Sequence, residues 1–470
     1  MELGMLDLAV TGGTVVTEQG TLAATVGVKD GRVVAIAAPG AVTDDAAETV
    51  DATGMFVVPG GIDAHVHFNL KVTDAMNAQS AVDGSKAAAF GGTTTFMDFA
   101  LQAGEGSAVE AVEAKQRELA AQRPNVDYAL HLMLTGAVGF EVMEELPDLV
   151  AGGVSSFKMF TTFSGASASG DLFSDDGRIW GVMEQAERAG GIVMVHCEDD
   201  CIIDYNVRRL YRAGLQDGRN IYQARPPLAE EAAIRRMILL ARRSGSPLYV
   251  VHVSSTWGVE AIREARASRL PVYGEVLHNY LVFTSDDYAA EEGLLYHNYP
   301  PLKSKADRER LWASIVAGDL DTVASDDFTI PKAAKLSGPW VDNVPGGHNG
   351  VETRMDVLFS EGVASKRLPI EQYARVTSTN PAKLFGIYPR KGTIAVGSDA
   401  DLVLIDPAWR GQLRLEDLHS ACDYSLWDGW RLDGRVRTTI LRGMPIVRDG
   451  QWVGPRGAGR FVPSSALRAP

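Results

Sequence analysis

Two histidines one residue apart, His65 and His67, close the apolar run VVPGGIDAHVHFN at residues 57–69. Alternate side chains of a strand share a face, so both imidazoles can reach one point in space. Imidazoles so placed bind a metal ion or move protons. An isolated pair of this kind more often packs or faces solvent, and its company decides. Four other apolar runs carry or end in residues of the same chemical kind: Lys158 in VSSFKMF, His196 closing IVMVH, His252 closing LYVVH and Asp326 closing TVASD. Taken singly, His196 or His252 reads as a core histidine, Asp326 as a helix N-cap and Lys158 as a surface lysine. Brought to one face, these nitrogen and carboxylate groups make a site for zinc or a similar divalent metal.

Such a meeting needs a scaffold that aims the ends of several strands at one place. Eight apolar runs qualify as parallel strands, at residues 56–64, 93–99, 128–133, 154–160, 192–196, 248–253, 271–276 and 321–325. Between most of them lie stretches of helical periodicity, at 78–90, 108–122, 178–189 and 230–243. This alternation predicts an α/β chain, a (β/α)8 TIM barrel with functional residues at the C-terminal ends of its strands. A doubly wound open sheet fits less well, because no G-x-G-x-x-G follows the first strand. Residues 5–55 alternate apolar and polar positions around glycine turns, with Asp30-Gly31 as a hairpin signal, and the same pattern returns at 392–406 and 435–453. Each end alone is too small to bury a core. The expectation is one discontinuous β-sandwich, 1–55 with 391–470, around a catalytic barrel at 56–390.

The composition suits this architecture. At 470 residues, 46% apolar and 22% charged, with 48 glycines, the chain has the make-up of a globular protein with many tight connections. A net charge of -15 without a basic run argues against nucleic acid or an anionic membrane as partner. Cys197, Cys201 and Cys422 form no disulfide framework and no C-x-x-C zinc spacing. With no signal-peptide pattern and no run of 18 apolar residues, the expected location is the cytoplasm.

Over nearly its whole length the sequence resembles the dihydropyrimidinase and hydantoinase family of cyclic amidohydrolases, within the amidohydrolase superfamily. The matching stretches include GGIDAHVHF, GGTTTFMDFA, SSFKMF, VMVHCED, ARPPLAEEAAI, VVHVSS, YGEV, YPPLKS, VASDD, GVETR and KGTIAVGSDADLVLID. The resemblance implies a lysine carbamylated by carbon dioxide at Lys158, bridging two divalent metal ions. One ion is then held by His65, His67, Lys158 and Asp326, and the other by Lys158, His196 and His252. Zinc is the first expectation, and manganese, cobalt or nickel also suit histidine and carboxylate ligands. The implied reaction is hydrolytic opening of a cyclic amide or ureide ring. A water bridging two cations loses its proton readily, hydroxide attacks the ring carbonyl, and Asp326 carries the proton to the leaving nitrogen. The resemblance also implies a homo-oligomer, a tetramer or a dimer.

The choice of ring is less well marked. Asn69 stands where dihydroorotate-hydrolysing relatives carry an arginine, which disfavours that substrate. HVHFN also resembles allantoinases, whereas MDFA resembles hydantoinases and dihydropyrimidinases. Phe163 replaces a tyrosine whose hydroxyl steadies the tetrahedral intermediate in typical relatives, and phenylalanine has no such donor. Tyr299 stands at the serine of their S-P-P-L stretch and Gly346 at the asparagine of their P-N-G segment. His278 and Tyr299 are the candidates for a substitute donor. Phe68, Phe99, Phe160, Phe163 and Trp257 are candidates for an apolar pocket wall, Phe68 and Phe163 first among them. Alternatives to the hydantoinase reading are allantoin, a cyclic imide or a heteroaromatic lactam as substrate, or a non-enzymatic protein of the same fold.

Overall fold

A computed structural model describes residues 5–39, 41, 46–104, 106–136, 138–164 and 172–467. Eight parallel strands follow one another in chain order around one sheet: Gly61–Val66, Thr93–Gln102, Asp127–Leu134, Ser156–Phe160, Ile192–His196, Leu248–Val250, Val272–Leu277 and Thr322–Ala324. The first and last strands close the ring. Val66 bridges Asp327, the His67 N–H donates to the Asp327 carbonyl at 2.8 Å, and the Ser325 N–H donates to Asp63 Oδ1 at 3.1 Å. Nearly every strand residue is buried, because one face meets the barrel interior and the other the helices. That is why these strands read as continuous apolar runs.

Several helices start where short polar side chains satisfy their first N–H groups. Ser80, Ser107 and Asp175 cap Ala81–Phe90, Ala108–Gln122 and Asp176–Ala189, each accepting from the N–H three residues on. Inside the barrel, Met97, Phe99, Met133, Tyr249 and Phe385 fill the space below the strand ends. His131 belongs to this filling: its ring nitrogens meet Ser156 Oγ at 2.5 Å and the Ala64 carbonyl at 3.0 Å.

The chain ends build two further sheets. One has four strands from residues 6–51, and the other joins Thr14–Thr17 and Gly20–Ala23 to Leu402–Gln412, Arg431–Leu441, Met444–Arg448 and Gln451–Trp452. Val10, Val26, Val57, Leu402, Leu404 and Ile440 are among the residues of their shared core.

Two boundaries differ from the expected ones. The run at 56–64 is two strands, since Phe56–Pro59 pairs with Leu402–Gln412 and Thr14–Thr17, and only Gly61–Val66 enters the barrel. Gly60 makes the break, pressed so closely to the second barrel strand that a Cβ there would lie 2.1 Å from Thr94 Oγ1. The sandwich thus reaches Pro59 rather than residue 55. At the other end, residues 459–467 leave the sandwich and cross the N-terminal rim of the barrel. Val462, Ser464 and Leu467 there donate to the carbonyls of Tyr128, Gly153 and Gly190 at 2.7–2.9 Å.

Candidate metal centre

The first strand turns His65 and His67 inward, one residue apart, and the last strand brings Asp326 against both. Asp326 Oδ1 lies 3.1 Å from His65 Nε2 and 3.2 Å from His67 Nε2. Ligand atoms of these three residues fall within 4.8 Å of one another. On the far side stand His196 and His252, ring centroids 4.5 Å apart, with His252 stacked 5.6 Å from His65. Lys158 rises between the two groups on the fourth strand, its Nζ 5.1 Å from the Phe160 ring centroid. All six side chains line a single cavity of about 600 Å3.

Two of the four histidines, His65 and His196, are held from behind by a carboxylate. Glu275, fully buried on the seventh strand, accepts from His65 Nδ1 at 2.8 Å and from the His252 backbone N–H at 3.0 Å, while its other oxygen takes the Tyr249 hydroxyl at 2.9 Å. Glu198 takes His196 Nε2 at 2.9 Å and is gripped by Arg225 at 2.5 Å. Such pairs fix the ring orientation and leave the opposite nitrogen for a metal. Among the described residues the buried Nδ1 atoms of His67 and His252 have no hydrogen-bond partner.

Burial governs the charges. It lowers His67, brings His196 down to about 4 and holds His252 well below the usual histidine range, so these rings are neutral at pH 7 with lone pairs exposed. It also brings Lys158 down to about 8, against the pull of Asp326 and Glu275. For Asp326 burial acts upward, but the neighbouring His65 and His67 prevail and keep the carboxyl well below its ordinary value. Neutral imidazoles, a carboxylate and a desolvated amine form a donor set that fits divalent zinc or its neighbours, provided the lysine gains negative charge.

Backbone strain gathers here as well. Asn69, Phe163, His252 and Asp326 have φ of 58°, 70°, 40° and 52°. Left-handed backbone at non-glycine residues costs on the order of 1–3 kcal/mol each and concentrates at functional sites.

Of the expected pocket residues, Phe160, Phe163, Tyr299 and Gly346 line the cavity, with Leu70 and Phe328 completing an apolar wall. Tyr299 and Gly346 fit each other, because a Cβ at 346 would lie 2.6 Å from the Tyr299 ring. The Tyr299 hydroxyl donates to the Val344 carbonyl at 2.7 Å.

Three expectations are corrected. Phe68 is fully buried outside the barrel wall, 5.0 Å from Phe96 and pressed on Gly84. His67 faces inward, so its neighbour faces outward. His278 likewise lies behind the wall, 3.2 Å from Thr353 Oγ1 and stacked on Trp427, since Glu275 takes the inward position of that strand. Trp257 sits half-exposed on the helix Thr256–Ala267, away from the cavity.

Glu198, Glu275, Arg225 and Asn298 were not singled out from sequence. The first three lie in the HCED, YGEV and ARPP stretches, and only Glu198, two residues after His196, carries a signal of position beside a strand-end histidine.

Comparison with known proteins follows the same line. The sequence model of the amidohydrolase family matches residues 56–453. A D-hydantoinase of Streptomyces coelicolor is 37% identical over 466 residues, 98% of each chain. A D-hydantoinase of Geobacillus stearothermophilus is 38% identical over 461 residues, 96% of this chain and 95% of that one. The crystal structure of a dihydropyrimidinase from Brevibacillus agri superposes with a TM-score of 0.92 at 36% identity, covering 98% of this chain and 99% of that one. With a family match over most of its length and relatives this similar from end to end, the chain belongs to the amidohydrolase family.

Proposed function

We propose that this protein hydrolyses a C–N bond of a cyclic amide or ureide, the chemistry to which the hydantoinase and dihydropyrimidinase names of its relatives refer. The observation that carries the reading is the convergence of four histidines, Lys158 and Asp326 on one largely apolar cavity. In this reading His65, His67, carbamylated Lys158 and Asp326 hold one divalent ion, and Lys158, His196 and His252 the other, zinc being the first choice. A carbamate turns Lys158 from a cation into an anionic ligand with two oxygens, which a site this rich in neutral nitrogen lacks. Ions bound there lower the pKa of water and polarise a carbonyl oxygen, which supplies the nucleophile and the electrophile.

The protein's own groups do the rest. Asp326 accepts the proton of the attacking water and returns it to the ring nitrogen as the C–N bond breaks. Glu275 and Glu198 hold His65 and His196 in the tautomer that faces inward. Phe160, Phe163 and Phe328 exclude bulk water and accept the apolar part of the ring, which strengthens every charge interaction beside them.

A second reading has its own support. Phe163 offers no hydroxyl, the Tyr299 hydroxyl is engaged by Val344, and His278 lies outside the cavity. A cyclic imide carbonyl is more electrophilic than that of a ureide and needs less help from such a donor.

Turnover of hydantoin, dihydrouracil, allantoin and succinimide by the metal-loaded protein separates the readings. Ring opening of a ureide supports the first, and reaction of succinimide alone supports the second. Loaded protein that opens none of the four rings contradicts both. The proposal includes a cytoplasmic homo-oligomer, tetramer or dimer, whose order light scattering reads directly.

A further inference from the structure

Asp326 uses its two carboxylate oxygens on different neighbours. Oδ1 faces His65 and His67 at 3.1 and 3.2 Å, whereas Oδ2 accepts from Asn298 Nδ2 at 2.7 Å. Asn298 is buried in the cavity wall, in the irregular stretch before Pro300, where nothing in the residue pattern announces a role. Its amide has only one way to face. The Gly347 N–H donates to Asn298 Oδ1 at 3.1 Å, which leaves the NH2 for Asp326.

The stretch that carries Asn298 is itself clamped. On one side the fully buried Lys335 bridges the His297 and Pro345 carbonyls, and on the other the Tyr299 hydroxyl reaches the Val344 carbonyl. Residues 297–299 and 344–347 are thus tied by three links, the middle one being Asn298. Asp326 itself sits on a left-handed backbone, so its side chain depends on such outside contacts for its orientation.

We infer that Asn298 is a positioning residue for proton transfer: its amide keeps Asp326 Oδ2 turned toward the cavity while Oδ1 stays with the histidines. The inference rests on the reading of Asp326 as proton carrier. Without the amide the carboxylate can rotate and offer either oxygen to either side. A proton carrier out of line costs turnover rather than binding.

The test compares Asn298→Ala and the near-isosteric Asn298→Leu, which lack the donor, with Asn298→Ser, which offers a shorter hydroxyl donor in its place. Four quantities are read on each: metal content, thermal midpoint, the visible spectrum of the cobalt-substituted protein, and kcat and KM on the ring the wild type opens. At wild-type metal content and midpoint, Ala and Leu are expected to lower kcat by about 30-fold or more with KM within about threefold. Their cobalt bands shift as the carboxylate turns, and Ser recovers part of both. An unchanged cobalt spectrum with kcat within about threefold of wild type in a folded, metal-loaded Ala or Leu variant overturns the inference. So does a loss of kcat that tracks loss of metal or of fold in all three. A wild type that opens no cyclic amide refutes the proposed function instead, and the cobalt spectra then judge Asn298 by themselves.

Discussion

Lys158 is the side chain on which the centre turns. It stands between His65 and His67 on one side and His196 and His252 on the other, buried where an ammonium is disfavoured. Lys158→Ala is expected to abolish loading of two metals per chain while the fold persists, since among the described residues no carboxylate lies within ion-pair distance of the lysine to be stranded by its loss. Metal analysis after desalting checks this, and two tightly bound ions in the variant would contradict the site. At this scale much was legible in the sequence, because the six residues that meet at the cavity each carry or close an apolar run. Parity along a strand was the part misjudged. Phe68 and His278 sit beside inward-facing positions, and a strand sends neighbours to opposite faces. Asn298 was illegible for a different reason: it lies on no strand or helix, so no period marks where it points.

At the scale of elements, each barrel strand does separate work at its two ends. The C-terminal ends carry the reactive groups, and the N-terminal ends carry buried polar groups that hold the strands in place. Asp321 precedes the eighth strand, where Oδ2 accepts from the Gly274 N–H at 2.9 Å and from Arg266 at 3.2 Å. Burial outweighs both and pushes its carboxyl up to about 6. A raised carboxyl favours the folded chain when protonated. Its contribution is therefore fullest below about pH 4, the unfolded value, and is lost as the pH rises through about 6, a difference of up to about 3 kcal/mol. Asp321→Asn removes this titration. Between about pH 4.5 and pH 7.5 the wild-type thermal midpoint should fall relative to that of the variant. A constant gap between the two across that range would show that Asp321 does not titrate there. Helix positions were well marked in the sequence, as the caps Ser107 and Asp175 show. The split at Gly60 was not, because a continuous apolar run does not reveal that its two halves join different sheets.

The whole molecule depends on how barrel, sandwich and C-terminal segment are joined. Lys391 lies fully buried at that junction, its Nζ 2.6 Å from Asp127 on the third barrel strand, 2.6 Å from Asp401 and 3.1 Å from Asp399 at the sandwich edge. Asp127 also takes Arg442 and the Arg460 N–H, which ties in the C-terminal crossing. Removing one member of a buried ion cluster strands the others. Lys391→Met is expected to destabilise by about 3–5 kcal/mol, read as a clear drop in thermal midpoint. An unchanged midpoint would mean that the cluster does not couple the parts. The two-ended sandwich was readable from its repeated alternating pattern, whereas the course of residues 459–467 under the barrel was not, since those residues form no periodic element. No helix among the described residues is long and apolar enough to cross a membrane.

The most direct test of the central claim is ring opening by one preparation in three states: as loaded with zinc in the presence of bicarbonate, after removal of the metal by a chelator, and after reloading. The account predicts that a cyclic ureide or imide is converted to its open acid in the first state, not in the second, and again in the third, and that Asp326→Asn stays inactive throughout. Equal turnover by stripped and loaded protein, or activity surviving in Asp326→Asn, would contradict it.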